Sequence, residues 1–147
     1  KPLWQKLLMN WGILFLILMV GLEEYILITT EGKIKIVDIE TDLFLDKCYE
    51  LINCDSIQVR VPLFPKKDTS VRLVLDDRGK YNSQKFNHLA TLFYNRPDVL
   101  FGNALVGKLG LNQYGEMSIV GFEYYETFEI LDLLKPLADE LRKNSKL

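Results

Sequence analysis

Short segments of alternating or β-branched residues follow one another from residue 25 onward, and they predict six strands. Successive side chains of a strand point to opposite faces, so alternation of apolar and polar residues indicates a half-buried strand. The clearest alternation is the segment 56–61, which has the sequence Ser-Ile-Gln-Val-Arg-Val. The other five strands are predicted at 25–30, 33–39, 71–75, 99–109 and 117–122.

Apolar residues at helical spacing predict three helices, over about residues 42–53, 83–95 and 126–143. Thr41 or Asp42 can cap the first helix, and Asn82 or Ser83 can cap the second. Pro136 lies inside the third, which predicts a kink or two short helices because proline removes a backbone donor.

The resulting order β-β-α-β-β-α-β-β-α favours the α+β class. We expect a mixed or mostly antiparallel sheet of about six strands, with two to three helices packed on one of its faces. The chain divides into an apolar extension (1–22), an α+β domain (23–122) and an acidic C-terminal helix (123–147) packed on that domain.

The extension 1–22 carries two lysines, no acid, and an uninterrupted run without polar side chains from Trp11 to Leu22. Three interpretations stay open: a stretch upstream of a natural start at Met19, a signal anchor, or a signal peptide without a good cleavage motif. The first leaves a cytoplasmic protein, the second a membrane-tethered one, and the third an exported one. A membrane is expected to be involved only through these residues.

Composition narrows the function classes. The 147 residues carry a net charge of −2, and 48% of them are hydrophobic, which excludes a disordered chain. Because there is no basic excess to neutralise phosphates, nucleic acid is not expected as a partner. The length fits one domain, while the oligomeric state is not encoded in any pattern we recognise.

The sequence offers few candidates for chemistry. His88 has no nucleophile at a defined spacing, and no glycine motif forms a phosphate loop. Cys48 and Cys54 are six residues apart, which favours free thiols over a redox or zinc motif. Asp76 and Asp77 permit one alternative, a metal-dependent hydrolase, although aspartates before Arg-Gly-Lys are typical of a turn. We therefore predict no cofactor, no metal site and no identifiable catalytic residue.

Five segments carry a resemblance to a known family: 45–53 (Leu-Asp-Lys-Cys-Tyr-Glu-Leu-Ile-Asn), 56–62 (Ser-Ile-Gln-Val-Arg-Val-Pro), 71–80 (Val-Arg-Leu-Val-Leu-Asp-Asp-Arg-Gly-Lys), 86–92 (Phe-Asn-His-Leu-Ala-Thr-Leu) and 99–107 (Val-Leu-Phe-Gly-Asn-Ala-Leu-Val-Gly). Together they resemble the bacterial and phage family called domain of unknown function 3846, over about residues 25–122. The resemblance implies a small domain typical of phages, plasmids and conjugative elements. It supplies no established activity and no catalytic residues.

We therefore expect a non-enzymatic accessory or binding protein of a phage or mobile element, whose partner is a protein of the host or of the element. The first candidate surface combines Asp77 and Arg78 in the turn with Asn87 and Thr91, which lie four apart on one helix side. Capping or backbone hydrogen bonding is the alternative role of Asn87 and Thr91.

The second candidate surface is acidic. Residues 123–140 carry a net charge of −5, and Glu123, Glu126, Glu129 and Asp132 recur at intervals of three. They form either a solvated helix face or a docking face for a basic partner, to which Tyr114, Tyr124 and Tyr125 could add aromatic contacts. The predicted partner-binding residues on this helix are Glu126 and Glu129.

Overall fold

The computed structural model describes residues 21–63 and 70–145. Within these ranges the chain forms one sheet of six strands, and every pairing between them is antiparallel. The strand order is β2-β1-β5-β4-β3, and β6 pairs with β5. The strands are β1 (Leu22–Ile28), β2 (Ile34–Glu40), β3 (Ile57–Arg60), β4 (Val71–Asp76), β5 (Ala104–Leu111) and β6 (Met117–Val120).

The described residues also form three α-helices: α1 (Phe44–Ile52), α2 (His88–Tyr94) and α3 (Tyr124–Ser145). A short 3-10 turn, Thr41–Leu43, precedes α1. The predicted α+β fold and its element order are thus confirmed.

The helices cover both faces of the sheet, so the expectation of helices on one face is wrong. Successive side chains of β1 point to opposite faces of the sheet. Tyr25 and Leu27 pack on the face that α1 covers, whereas Ile26 and Ile28 pack on the face that α2 and α3 cover. A strand buried on both faces shows a continuous apolar run instead of alternation. The run Tyr-Ile-Leu-Ile at 25–28 is such a run, and all four of its residues are buried.

The second helix begins later than predicted. Asn87 caps it, not Asn82 or Ser83, because its side chain accepts a hydrogen bond from the backbone N–H of Ala90. Ser83 has a φ of +56°, a left-handed conformation that a right-handed helix excludes. Residues 82 and 83 therefore belong to a loop.

Pro136 does not divide the third helix, so of the two predicted outcomes, a kink or two short helices, the division into two is wrong. α3 runs continuously from Tyr124 to Ser145 with Pro136 on its exposed side. Leu134 and Ala138, on either side of the proline, are buried against the sheet. This packing stabilises the helix around the backbone hydrogen bond that proline cannot make.

The predicted extension lies outside the described residues except for its last two, Gly21 and Leu22, and the latter begins β1. No helix in ranges 21–63 and 70–145 is long and apolar enough to cross a membrane.

Candidate functional site

An eleven-residue loop, residues 77–87, connects β4 to α2 and is held by backbone and side-chain hydrogen bonds. Its backbone makes hydrogen bonds at both ends and in the middle: Gly79 to Asp76, Gln84 to Gly79, and Asn87 to Leu100. A Cβ atom at Gly79 would meet the carbonyl oxygen of Phe101 at 3.0 Å, so the loop lies tightly on the chain beside it. This connection is longer than the median of about four to six residues in compact domains.

The side chain of Asp76, at the end of β4, holds this loop through three hydrogen bonds. Its exposed fraction is 2%. One carboxylate oxygen accepts the backbone N–H of Arg78 at 2.9 Å. The other accepts the side-chain amides of Asn82 at 3.0 Å and Gln84 at 3.2 Å. Burial opposes ionisation, but these hydrogen bonds outweigh it and lower the pKa of Asp76.

Gln84 fastens the same loop to the end of α1. Its side-chain amide lies 3.1 Å from the carbonyl oxygen of Ile52 and 3.0 Å from that of Asn53. Asn53 ends α1 in a left-handed conformation, so the carbonyls of Ile52 and Asn53 lie at the end of the helix, where no further turn bonds to them. The loop is therefore held by long-range contacts that helical or strand periodicity does not encode.

A pocket of about 200 Å³ opens between the loop, β3 and the segment before β5. Tyr81 stands at its rim with 89% of its surface exposed. The lining comprises Gln58 and Arg60 of β3, Leu75 and Asp76 of β4, the loop residues 77–81, and residues 99–101.

Two cations beside the pocket share one carboxylate. Arg60 lies 2.6 Å from one oxygen of Asp98, and the Lys80 ammonium lies 3.0 Å from the other. Lys80 and Arg60, together with the backbone N–H of Val99, hold the pKa of Asp98 well below its usual range. Arg60 also donates to the hydroxyl of Tyr94 at 3.2 Å. The ion pair with Asp98 thus places the Lys80 ammonium beside the pocket.

Of the first predicted surface, Asp77 and Arg78 line the pocket, but Asn87 and Thr91 do not. Asn87 is fully buried, and its amide donates to the carbonyls of Ile28 at 3.1 Å and Gly102 at 2.8 Å. The hydroxyl of Thr91 donates to the carbonyl of Asn87 at 2.7 Å and accepts the N–H of Leu100. In the structure, the fully buried Asn87 and the half-buried Thr91 thus join separate backbone segments.

Of the second predicted surface, Glu126 has local partners and Glu129 does not. Glu126 forms an ion pair with Lys108 and accepts the backbone N–H of Glu123, as in a capping box. Glu129 is exposed, and no described residue bonds to its side chain. Neither carboxylate lines the pocket.

Sequence reasoning missed Arg60, Tyr81 and Asp98. Arg60 and Asp98 are 38 positions apart, and no motif links them. Tyr81 directly follows the Asp-Asp-Arg-Gly-Lys turn, so an aromatic residue beside a turn was the available signal.

The other candidates for chemistry, His88 and the two cysteines, are not part of a recognisable site among the described residues. Among the described residues, no group of three His, Cys, Asp or Glu side chains could hold a metal ion. His88 is exposed and stacks edge-on against Phe86. Cys48 and Cys54 are both free, and burial raises the pKa of the Cys48 thiol to about 12, which keeps it protonated.

Taken together, these features define a small α+β domain whose ordered loop borders an open pocket. The chain belongs to the family described as domain of unknown function (DUF3846), whose model matches residues 23–128. That match includes the sheet except Leu22, the first residue of β1, and it extends into the start of α3. No curated protein matches the chain. No solved structure matches it either.

Proposed function

We propose that this chain is a non-enzymatic binding protein, an accessory protein of a phage or other mobile genetic element. It acts in the bacterial cytoplasm, and its partner is a protein of the host or of the element. The element context is supported by the family resemblance. The binding role is supported by the pocket beside the 77–87 loop, where Arg78 and Tyr81 stand on a backbone that is already ordered.

The chemistry at the pocket rim suits recognition of a protein. Tyrosine and arginine are enriched among the residues that dominate interface energies. Tyr81 exposes 89% of its surface, although its ring is apolar enough to favour burial. Because the loop is held by Asp76 and Gln84 before any partner arrives, binding would lose little conformational entropy there.

The same geometry argues against Asp76 as the metal ligand or catalytic residue of the alternative hydrolase. Asp76 receives three hydrogen bonds, all from N–H groups. These donors repel a cation, so they compete with metal binding. A carboxylate whose pKa is lowered also makes a poor general acid or base near neutral pH.

Site-specific photo-crosslinking tests the binding role. The full chain carries a photoreactive phenylalanine at position 81, and it is irradiated in cells that carry its gene. Tyr114 is the matched control because it is 71% exposed but lies on the β5–β6 turn. We expect one discrete protein adduct from position 81, reduced by Arg78→Ala, and none of that mass from position 114. The same adduct from both positions, or no adduct at position 81, would contradict the proposal.

Calorimetric titration of the full chain with Mg²⁺, Mn²⁺ and Zn²⁺ separates the two functions. No saturable heat is expected. Stoichiometric binding that Asp76→Asn abolishes would favour the hydrolase instead.

The identity of the neighbouring genes tests the element context, since phage, plasmid or conjugation genes are expected beside this one.

A further inference from the structure

The first turns of α3 present an aromatic surface that the fold does not use. Tyr124, Tyr125 and Phe128 expose 71%, 64% and 47% of their surfaces. The rings of Tyr124 and Phe128 meet edge-on with their centroids 4.8 Å apart. Exposed apolar side chains gathered in one place mark interaction surfaces more often than scattered ones do. We call the three residues the aromatic face.

Carboxylates surround this aromatic face. Residues 123–132 contain four acids and neither lysine nor arginine. Lys108 compensates one of them, Glu126. In ranges 21–63 and 70–145, no ion pair or hydrogen bond engages the side chains of Glu123, Glu129 and Asp132, and all three are exposed. The surface is therefore negative as well as aromatic.

The second half of the same helix is different. Residues 133–145 contain three basic and two acidic residues, and Arg142 pairs with Asp139 at 3.2 Å. Favourable interaction with the helix dipole explains acids near the N-terminus of α3. It does not explain three exposed aromatic rings among them.

From this combination we propose that the aromatic face with Glu123, Glu129 and Asp132 docks a lysine- or arginine-bearing segment of another protein. A basic side chain placed over a tyrosine or phenylalanine ring gains from the negative face of the ring. The neighbouring carboxylates add ion pairs and attract the segment from a distance. This surface is separate from the pocket, so its occupant does not depend on the function proposed for Tyr81.

Fluorescence anisotropy of a labelled arginine–glycine repeat peptide, titrated with the full chain, tests this proposal. Saturable binding is expected, with none for a glutamate–glycine repeat. Tyr125→Ala with Phe128→Ala removes rings and keeps the charges. Glu129→Gln with Asp132→Asn removes charges and keeps the rings. We expect each pair to weaken binding by about fivefold or more.

Two control variants keep the test specific. Asp139→Asn with Glu140→Gln makes the same charge change at the other end of α3, and Leu111→Ala removes a 67% exposed apolar side chain from β5. Both are expected to leave binding within about twofold of the unchanged chain. All positions are exposed, and circular dichroism and thermal melting verify that each variant folds.

Three results would overturn the proposal. Equal weakening by the two acidic pairs would show non-specific attraction to negative charge. Absence of saturable binding would remove the basic segment as occupant. Dimerisation in sedimentation that depends on Tyr125 and Phe128 would show that a second copy of this chain occupies the face.

Discussion

The 77–87 loop and the first turns of α3 are both candidate interaction surfaces, but they are ordered by opposite means. In the loop, the side chains of Asn82 and Gln84 bond to Asp76 at the end of β4, and Gln84 also bonds to the distant backbone of Ile52. In α3, the backbone is ordered by helical hydrogen bonds, and Tyr125 and Glu129 point outward. Substitutions of the side chains that hold the loop should therefore damage folding as well as binding. Substitutions on the aromatic face should affect binding alone.

The largest effect is expected at the junction between the loop and α2. Asn87→Asp retains an oxygen that caps α2 but loses the two donations to Ile28 and Gly102. We expect the free energy of unfolding to fall by about 3 kcal/mol, since two buried carbonyls lose their partner beside a new buried charge. Urea denaturation measures this. A loss as small as that of an exposed cap, about 1 kcal/mol, would mean that the side chain acts as a helix cap only.

A smaller effect is expected at the centre of the loop. Asp76→Asn keeps the shape but weakens the hydrogen bonds from Arg78, Asn82 and Gln84, and we expect a loss of about 2 kcal/mol near neutral pH. Asp77→Asn, one residue on and exposed, is the control and should change stability by less than about 0.5 kcal/mol.

The Asp76 effect should also depend on pH. Because the folded-state pKa of Asp76 is lowered, its stabilisation is complete above the unfolded-state value of about 4 and is lost as pH falls through the folded-state value. The stability difference between the unchanged chain and Asp76→Asn should therefore be constant from about pH 6 to 8 and shrink below about pH 4. A difference that grows on acidification would have the wrong sign.

Within α3, the carboxylate that has partners should matter more than the one that lacks them. Glu126→Gln weakens both the ion pair with Lys108 and the bond to the Glu123 N–H, so we expect a loss of about 1 kcal/mol. Glu129→Gln is the matched change and should be nearly neutral. If thermal melting shows equal losses, the exposed stripe of carboxylates contributes to folding in a way that its geometry does not show.

The smallest effect on stability is expected at the aromatic face. Tyr125→Ser should change the free energy of unfolding by less than about 0.5 kcal/mol, because the ring is mostly exposed. Binding of the arginine–glycine peptide should still weaken. A stability loss comparable to that of Asp76→Asn would mean that the ring stabilises the fold. The two surfaces would then not differ in the way proposed.

How far the sequence predicts this molecule depends on how local each feature is. Alternation over 56–61 located β3, and the continuous run at 25–28 contained the signal that both sheet faces are covered. The turn that contains Asp77 and Arg78 could be located because turns are marked by a local run of characteristic residues, here Asp-Asp-Arg-Gly-Lys. The contact between Arg60 and Asp98 could not be located in this way, since it depends on strand order and on a separation of 38 positions. Likewise, the burial of Asn87 follows from packing between distant segments.

Hydrogen–deuterium exchange of the free full chain tests most directly whether the 77–87 loop is a prebuilt surface. The backbone amides of Arg78, Gly79, Asn82, Gln84 and Asn87 all donate hydrogen bonds within the fold. We expect these amides to exchange far more slowly than those of an unstructured peptide. Asp76→Asn should accelerate the exchange of Arg78 while leaving Gly115, on the distant β5–β6 turn, unchanged. Exchange of the loop amides at unstructured rates in the unchanged chain would contradict a preordered binding surface.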